Sequence, residues 1–246
     1  MITYSIIKKS QLEGAHRLDA EYYQPEYLQN SELLQHIGFY TLQELSKISI
    51  TKGETPLWRG DDYLTSGIPF LRSENLVSVG LEISNLVFIS EKVDARMKRS
   101  RIYPNDILIA IVGATIGEFG LVTDEYPQYN SNQAIAIVRP DDERRSSYLA
   151  IILESVFCRL QIERLKGGGA RDNLDLHEVR IIKIPKPTER ILNFCLDSVS
   201  EIKRLRKESK SLYSQAEGML LEELGLKDFE TAGGLFSVVN LSEVQD

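Results

Sequence analysis

The side chains best suited to chemistry in this sequence are basic and amide groups gathered in short polar stretches. Lys52, Thr55, Trp58 and Arg59 share one stretch, and Arg72, Ser73 and Asn75 follow an apolar run. Arg96, Lys98, Arg99 and Arg101 form a third, while Lys166, Arg171 and Asn173 flank the triple glycine 167–169. Arginine and lysine donate to phosphate oxygens and guanine edges, and asparagine can meet adenine with a donor and an acceptor at once. Held in loops of a rigid scaffold, such groups have the chemistry of a DNA groove reader. Taken singly, each stretch is more simply a solvated surface.

Other chemistries find less support. Gly113-Ala114-Thr115-Ile116-Gly117-Glu118-Phe119-Gly120 has neither a GKS/GKT ending nor the G-x-G-x-x-G spacing, and it lies between two strand patterns. It is expected to be a hairpin turn whose glycines permit tight geometry. His16, His36 and His177 are far apart and fit no metal spacing, and Cys158 and Cys195 lack a CxxC partner, so both read as buried reduced thiols. No G-x-S-x-G surrounds a serine, and no Asn-Pro-Pro-aromatic motif offers to hold a flipped base. A magnesium-dependent nuclease built on Asp61, Asp62 and Glu74 is the competing enzymatic reading. The chain itself is expected to be non-catalytic and to carry no cofactor or metal.

Composition narrows the class. A net charge of -7 over 246 residues, with 42% hydrophobic and 26% charged content, is that of an ordinary globular chain and argues against coating of nucleic acid by bulk charge. Local basic clusters remain free to meet phosphates. The longest nearly uncharged run, ILIAIVGATIG from residue 107, is too short to cross a bilayer, so a cytoplasmic protein with no membrane partner is expected.

Strands and helices must position those loops. Apolar periodicity predicts a helix beginning near Pro25, and strands over 67–72, 86–89, 107–112, 118–123, 133–138 and 180–184. A helix is expected over 147–166, closed by the triple glycine, and Asp175 with Glu178 has the spacing of a capping box. The fold class is therefore α/β (α+β), a globule with a mixed or largely antiparallel sheet, followed by one long helix. From Thr188 to Leu224 there is no proline, and Ile191, Cys195, Ser198, Ile202, Leu205, Ser209, Leu212, Ala216 and Met219 alternate four and three apart. Such a rod, about 55 Å long at about 1.5 Å per residue, is too long for its own globule to cover and calls for a partner helix. Ile191, Cys195, Ile202, Leu205, Leu212, Ala216 and Met219 are the expected dimerisation positions.

Several motifs, in order, resemble the specificity (S) subunit of type I restriction-modification systems. Arg17-Leu18-Asp19-Ala20-Glu21-Tyr22-Tyr23 comes first, then Gly53-x-Thr55-Pro56 and Gly67-Ile68-Pro69-Phe70-Leu71-Arg72-x-x-Asn75-Leu76. Asn105-Asp106-Ile107-Leu108, Gly113-Ala114-Thr115-Ile116-Gly117, Ser131-Asn132-Gln133-Ala134 and Ile182-x-Ile184-Pro185-x-Pro187 follow. The resemblance implies a target recognition domain over 1–187, a spacer and dimerisation helix over 188–226, and a tail over 227–246. Phe236 to Asp246 repeats the pattern of the first residues, as if a second unit were starting. The resemblance also implies double-stranded DNA as ligand, methyltransferase (M) subunits holding S-adenosylmethionine as partners, and room for a restriction (R) subunit. A single unit suggests either a half-subunit that forms a homodimer or a truncated product. A target recognition subunit of a type II-like enzyme is the alternative within this class.

Overall fold

Ile107-Leu108-Ile109-Ala110 and Ile135-Ala136-Ile137-Val138 contain no residue suited to water, and each requires cover on both faces. In the computed structural model, which describes residues 4–9, 12, 18–56, 60–166 and 173–226, they are adjacent antiparallel strands β7 (Ile107–Ala110) and β10 (Ile135–Val138). With β2 (Thr51–Lys52) and β8 (Phe119–Leu121) they complete an antiparallel sheet in the order β2-β10-β7-β8. Ile107, Ile109, Ala136 and Val138 face one core with Leu149, Cys158, Ile162 and Val179. Leu108, Ala110, Ile135 and Ile137 face a second core with Leu71, Ile102, Val122 and Tyr129. The unbroken apolar runs are thus the imprint of a sheet between two cores.

A second sheet has the order β6 (Val87–Ile89), β3 (Ile68–Leu71), β9 (Asn130–Ser131). β3 and β9 are parallel, and β3 and β6 antiparallel. Pro69 sits inside the middle strand, opposite Phe88. It is tolerated because Phe88 exchanges both backbone bonds with Leu64, at 2.8 and 3.1 Å, which makes Pro69–Phe88 a non-hydrogen-bonded pair. The absent N–H therefore points toward β9, which reaches only Phe70 and Leu71. Between β3 and β6 in sequence lies the hairpin β4 (Leu76–Val77) and β5 (Gly80–Leu81), and β1 (Phe39–Thr41) pairs with β11 (Lys183–Pro185).

Helix α1 (Pro25–Ile37) starts on its proline as expected. Ahead of it, the 3-10 turn Ala20–Tyr23 is held by the buried Arg164, whose Nε donates to the Tyr22 carbonyl at 2.9 Å and whose guanidinium lies 4.1 Å from the Tyr22 ring centre. The single helix expected over 147–166 is two, α3 (Glu143–Ile152) and α4 (Val156–Lys166). α3 begins early because the Asp142 side chain accepts from Arg145 N at 2.9 Å. A period of 3.6 cannot separate two helices whose buried stripes both face the same core. The expected strand at 180–184 is shorter than its pattern. The capping box at Asp175, with Glu178 accepting from its N–H at 2.9 Å, commits Arg180 to α5 (Leu176–Arg180).

The described residues form two compact units, one ending at Ser200 and the other starting at Glu201. Helix α6 (Glu189–Glu223) begins in the first. Thr188 Oγ1 accepts from Ile191 N at 3.3 Å, and at the far end Leu226 N bonds Leu221 O at 2.8 Å across Gly225, whose φ is +66°. That is the Schellman geometry the glycine predicts. In the first unit, Leu192, Cys195 and Val199 are buried in the core shared with α3 and α4. Cys195 is therefore a core residue and not part of an intermolecular seam, because the first turns of α6 dock on their own globule. In the second unit Leu205, Leu212 and Met219 are 48%, 58% and 72% exposed, and Ala216 is exposed with them. Among the described residues no helix is long and apolar enough to cross a membrane. The 227–246 tail, with its repeat of the chain's opening pattern, lies outside the described residues.

Candidate nucleic-acid interface

Strand register decides which loops become neighbours. Lys52 pairs with Ala136, Ile135 with Ala110 and Ile109 with Phe119, so 53–56, 111–118 and 132–134 all leave the large sheet at one end. In the small sheet Leu71 pairs with Ser131 in parallel, and Asn132 N donates to Leu71 O at 3.4 Å, so Arg72 and Asn132 emerge together. An isolated bridge joins Val112 to Asn173, and Leu174 N donates to Ile111 O at 2.8 Å, adding the segment after the triple glycine. Lys166, at the end of α4, places its ammonium beside Gly117. Lys52, Thr55, Arg72, Ser73, Lys166 and Asn173 therefore belong to one rim, which is built on two sheets.

The G-x-T-P and S-N-Q-A motifs meet at the centre of that rim. A Cβ on Gly53 would lie 1.7 Å from the Ser131 carbonyl oxygen, so only glycine allows the two backbones to approach this closely. Two residues on, Thr55 Oγ1 donates to Gln133 Oε1. Asn132 Oδ1 accepts from Ala134 N at 3.0 Å, which shapes the turn into β10. Asn132 and Gln133 are half-exposed at this junction and were absent from the residues expected to meet DNA. Their signal was present in Ser131-Asn132-Gln133-Ala134. It read as the start of a strand because the contact with Gly53 and Thr55 spans a long stretch of chain.

Asn75 has a different place from the one expected. It is buried, its Oδ1 accepts from Arg72 N at 2.8 Å and its Nδ2 donates to Glu82 O at 3.0 Å. With donor and acceptor both committed, it shapes the Arg72–Asn75 turn and is not available to a base edge. Arg72 is half-exposed, pairs with Glu74 at 2.6 Å and touches the Asn85 carbonyl at 3.4 Å.

The 96–101 cluster follows α2 (Glu91–Arg96), where Ser90 Oγ accepts from Val93 N at 3.3 Å. The 3-10 turn Lys98–Ser100 after it packs against β2. Lys98 and Arg99 are exposed. Arg96 is paired with Asp61, and Arg101 donates twice to Asp94, through Nε at 2.9 Å and Nη2 at 2.6 Å. Two of the four cations are thus engaged within the protein. Trp58, Arg59 and Arg171 lie outside the described residues.

Below the same region Arg139 donates to both carboxylate oxygens of Asp106, at 2.8 and 2.7 Å, and to the Arg101 carbonyl at 2.8 Å. Burial nevertheless pushes the Asp106 carboxyl above its ordinary range, outweighing the hydrogen bonds from Arg139 and from Tyr103 N. This pair fixes where the chain enters β7. Of the carboxylates in the competing nuclease reading, Asp61 and Glu74 are each paired with an arginine. Among the described residues no group of three His, Cys, Asp or Glu side chains could hold a metal ion. The arrangement brings several polar loops to one end of the scaffold, where an extended ligand would meet more than one of them at once.

Comparison with known proteins gives the same direction. Residues 35–191 match the family described as the type I restriction modification DNA specificity domain. Over 132 residues, 52% of this chain, the sequence is 31% identical to the type I restriction enzyme EcoBI specificity subunit of Escherichia coli, of which the match covers 27%. The fold is similar to the crystal structure of a type I restriction-modification S subunit from M. genitalium, with a TM-score of 0.51 and 19% identity over 86% of this chain and 53% of that one. A chain from a structure of type I R-M complex assembly aligns with a TM-score of 0.50 and 16% identity, over 82% of this chain and 50% of the other. This chain thus spans about a quarter of the curated relative and about half of each solved chain. The match over 35–191 covers well over half of the sequence, and the chain belongs to the type I restriction modification DNA specificity domain family.

Proposed function

We propose that this chain is the DNA-reading, non-catalytic specificity component of a type I restriction-modification assembly. Residues 1–187 would serve as the target recognition domain, with the loop rim against duplex DNA. What carries this reading is the convergence of separate basic and amide loops on one end of a two-sheet scaffold, within the span that matches the family. Phosphates would be met by Lys52, Lys98, Arg99 and Lys166, and base edges by Arg72, Ser73, Thr55, Gln133 and Asn173. The partners are methyltransferase subunits, which bring S-adenosylmethionine and the methyl-transfer chemistry on adenine, with a restriction subunit joining in the full complex. The assembly works in the cytoplasm.

The second unit supplies the spacing in this reading. Leu205, Ser209, Leu212, Ala216 and Met219 alternate four and three apart, and two copies paired along this stripe would hold two identical readers about a two-fold axis. Two identical readers specify an interrupted palindrome.

Replacement of Lys98 and Arg99 by alanine tests the interface. Binding of the full chain to a mixed-sequence 40-base-pair duplex should weaken for every sequence, and the slope of log affinity against log salt should fall by about two. An unchanged affinity and slope would remove this turn from the DNA surface.

A further inference from the structure

Lys98 and Arg99 stand on one turn of 3-10 helix, which is too short to hold its own shape. What fixes it lies underneath. The Asp94 side chain is 5% exposed and accepts four hydrogen bonds. Arg101 Nε and Nη2 reach Oδ2 at 2.9 and 2.6 Å, while Gln128 Nε2 and Asn130 Nδ2 reach Oδ1 at 3.0 and 2.9 Å. Asn130 is fully buried at the start of β9, and two further contacts of its side chain return to the turn: Oδ1 accepts from Ser100 Oγ at 2.7 Å and Nδ2 donates to the Met97 carbonyl at 3.2 Å. The residues on either side of Lys98 and Arg99 are therefore tied to one buried carboxylate, directly through Arg101 and indirectly through Asn130. The same tie joins the turn to β9, which leads into Asn132 and Gln133 at the rim.

We propose that Asp94 is a positioning residue for DNA binding, holding the 97–101 turn so that Lys98 and Arg99 meet phosphates, with Arg101 as its counterion and not a phosphate contact. This rests on the reading of Lys98 and Arg99 as DNA contacts. Charge alone makes the opposite forecast. A carboxylate near a DNA surface repels phosphate, so its neutralisation should tighten binding and leave Arg101 free to add to it. Positioning makes neutralisation harmful. An amide at position 94 must aim its NH2 either at Arg101 or at Gln128 and Asn130, all of them donors, and cannot satisfy both sides.

The test measures affinity of the full chain for the mixed-sequence 40-base-pair duplex in a double-mutant cycle, with thermal melts to confirm folding. Asp94→Asn should bind about ten-fold more weakly than wild type, yet add less than about two-fold once Lys98 and Arg99 are alanine. Equal or tighter binding by Asp94→Asn overturns the proposal, as does an equal loss in both backgrounds. If the alanine pair alone changes nothing, the contact reading fails first and the proposal falls with it. That outcome is distinct from a cycle in which the pair matters and Asp94 does not. Should Asp94→Asn fail to fold, Gln128→Ala removes one surface-accessible strut: a loss of about two-fold, absent in the alanine background, supports the proposal. Wild-type binding by Gln128→Ala overturns it.

Discussion

At Gly53 a methyl group has nowhere to go, since the nearest atoms to a Cβ are the Ser131 carbonyl oxygen and carbon, at 1.7 and 2.5 Å. A side chain tip could swing aside, but backbone cannot without parting β2 from the β9–β10 junction. Gly53→Ala should destabilise the fold by about 2–4 kcal/mol, read by denaturant or thermal unfolding, and should weaken DNA binding further by displacing Thr55 and Gln133. Near-native stability would mean that these motifs do not pack as described. The same site shows what a sequence can and cannot disclose at this scale. Gly53, Thr55 and Pro56 are legible as a loop from their types alone, whereas their contact with 131–133 is a fact of folding. Asn75 is the converse case. Its amide suited a base edge equally well, and only the geometry of Arg72 N and Glu82 O shows that both of its groups are spent inside the turn.

Elements were more legible than their pairings. The strands 107–110 and 135–138 and the helix from Pro25 followed from composition and period, because apolar burial on both faces or one face leaves a direct imprint. The parallel pairing of β3 with β9 left no such imprint, and neither did the break between α3 and α4. In α6 the four-three spacing was readable, but the division of labour along it was not: Cys195 and Val199 are covered by the first unit, Leu205 and Leu212 are open. Thiol chemistry checks this division. Cys158 and Cys195 are both buried, and burial pushes the Cys158 thiol up to about 12 and raises that of Cys195. Ellman's reagent should find neither thiol in the native chain at neutral pH and two after unfolding. Rapid reaction at Cys195 alone would show that the first turns of α6 are not docked.

These groups also set an alkaline limit. Cys158 and Tyr129 have folded values raised to about 12, from ordinary values of 9.0 and 10.0. The unfolded chain gives up these protons first, so it binds fewer protons than the folded one in that window. Stability from these groups is complete below about pH 9 and declines as pH rises toward 12. Thermal melts from pH 7.5 to 10.5 should hold steady at the lower end and fall above about 9; a melting temperature that climbs through that range would contradict the burial of these side chains.

For the whole molecule, the question is what covers the second unit. Side chains at 205, 212 and 219 are exposed in a single chain, so their replacement should leave the first unit's melt unchanged. Sedimentation should show two chains for the wild type and one for Leu205→Glu/Leu212→Glu, and a wild-type monomer at micromolar concentration would break the link between this helix and a two-fold site. The proposed role is tested most directly by methylome sequencing of cells that express this chain together with the adenine methyltransferase proposed as its partner. Methylated adenines are expected at one interrupted palindrome of fixed spacing, lost when Lys98 and Arg99 are alanine. Methylation without a sequence motif, or a motif that persists when this chain is removed, would contradict it.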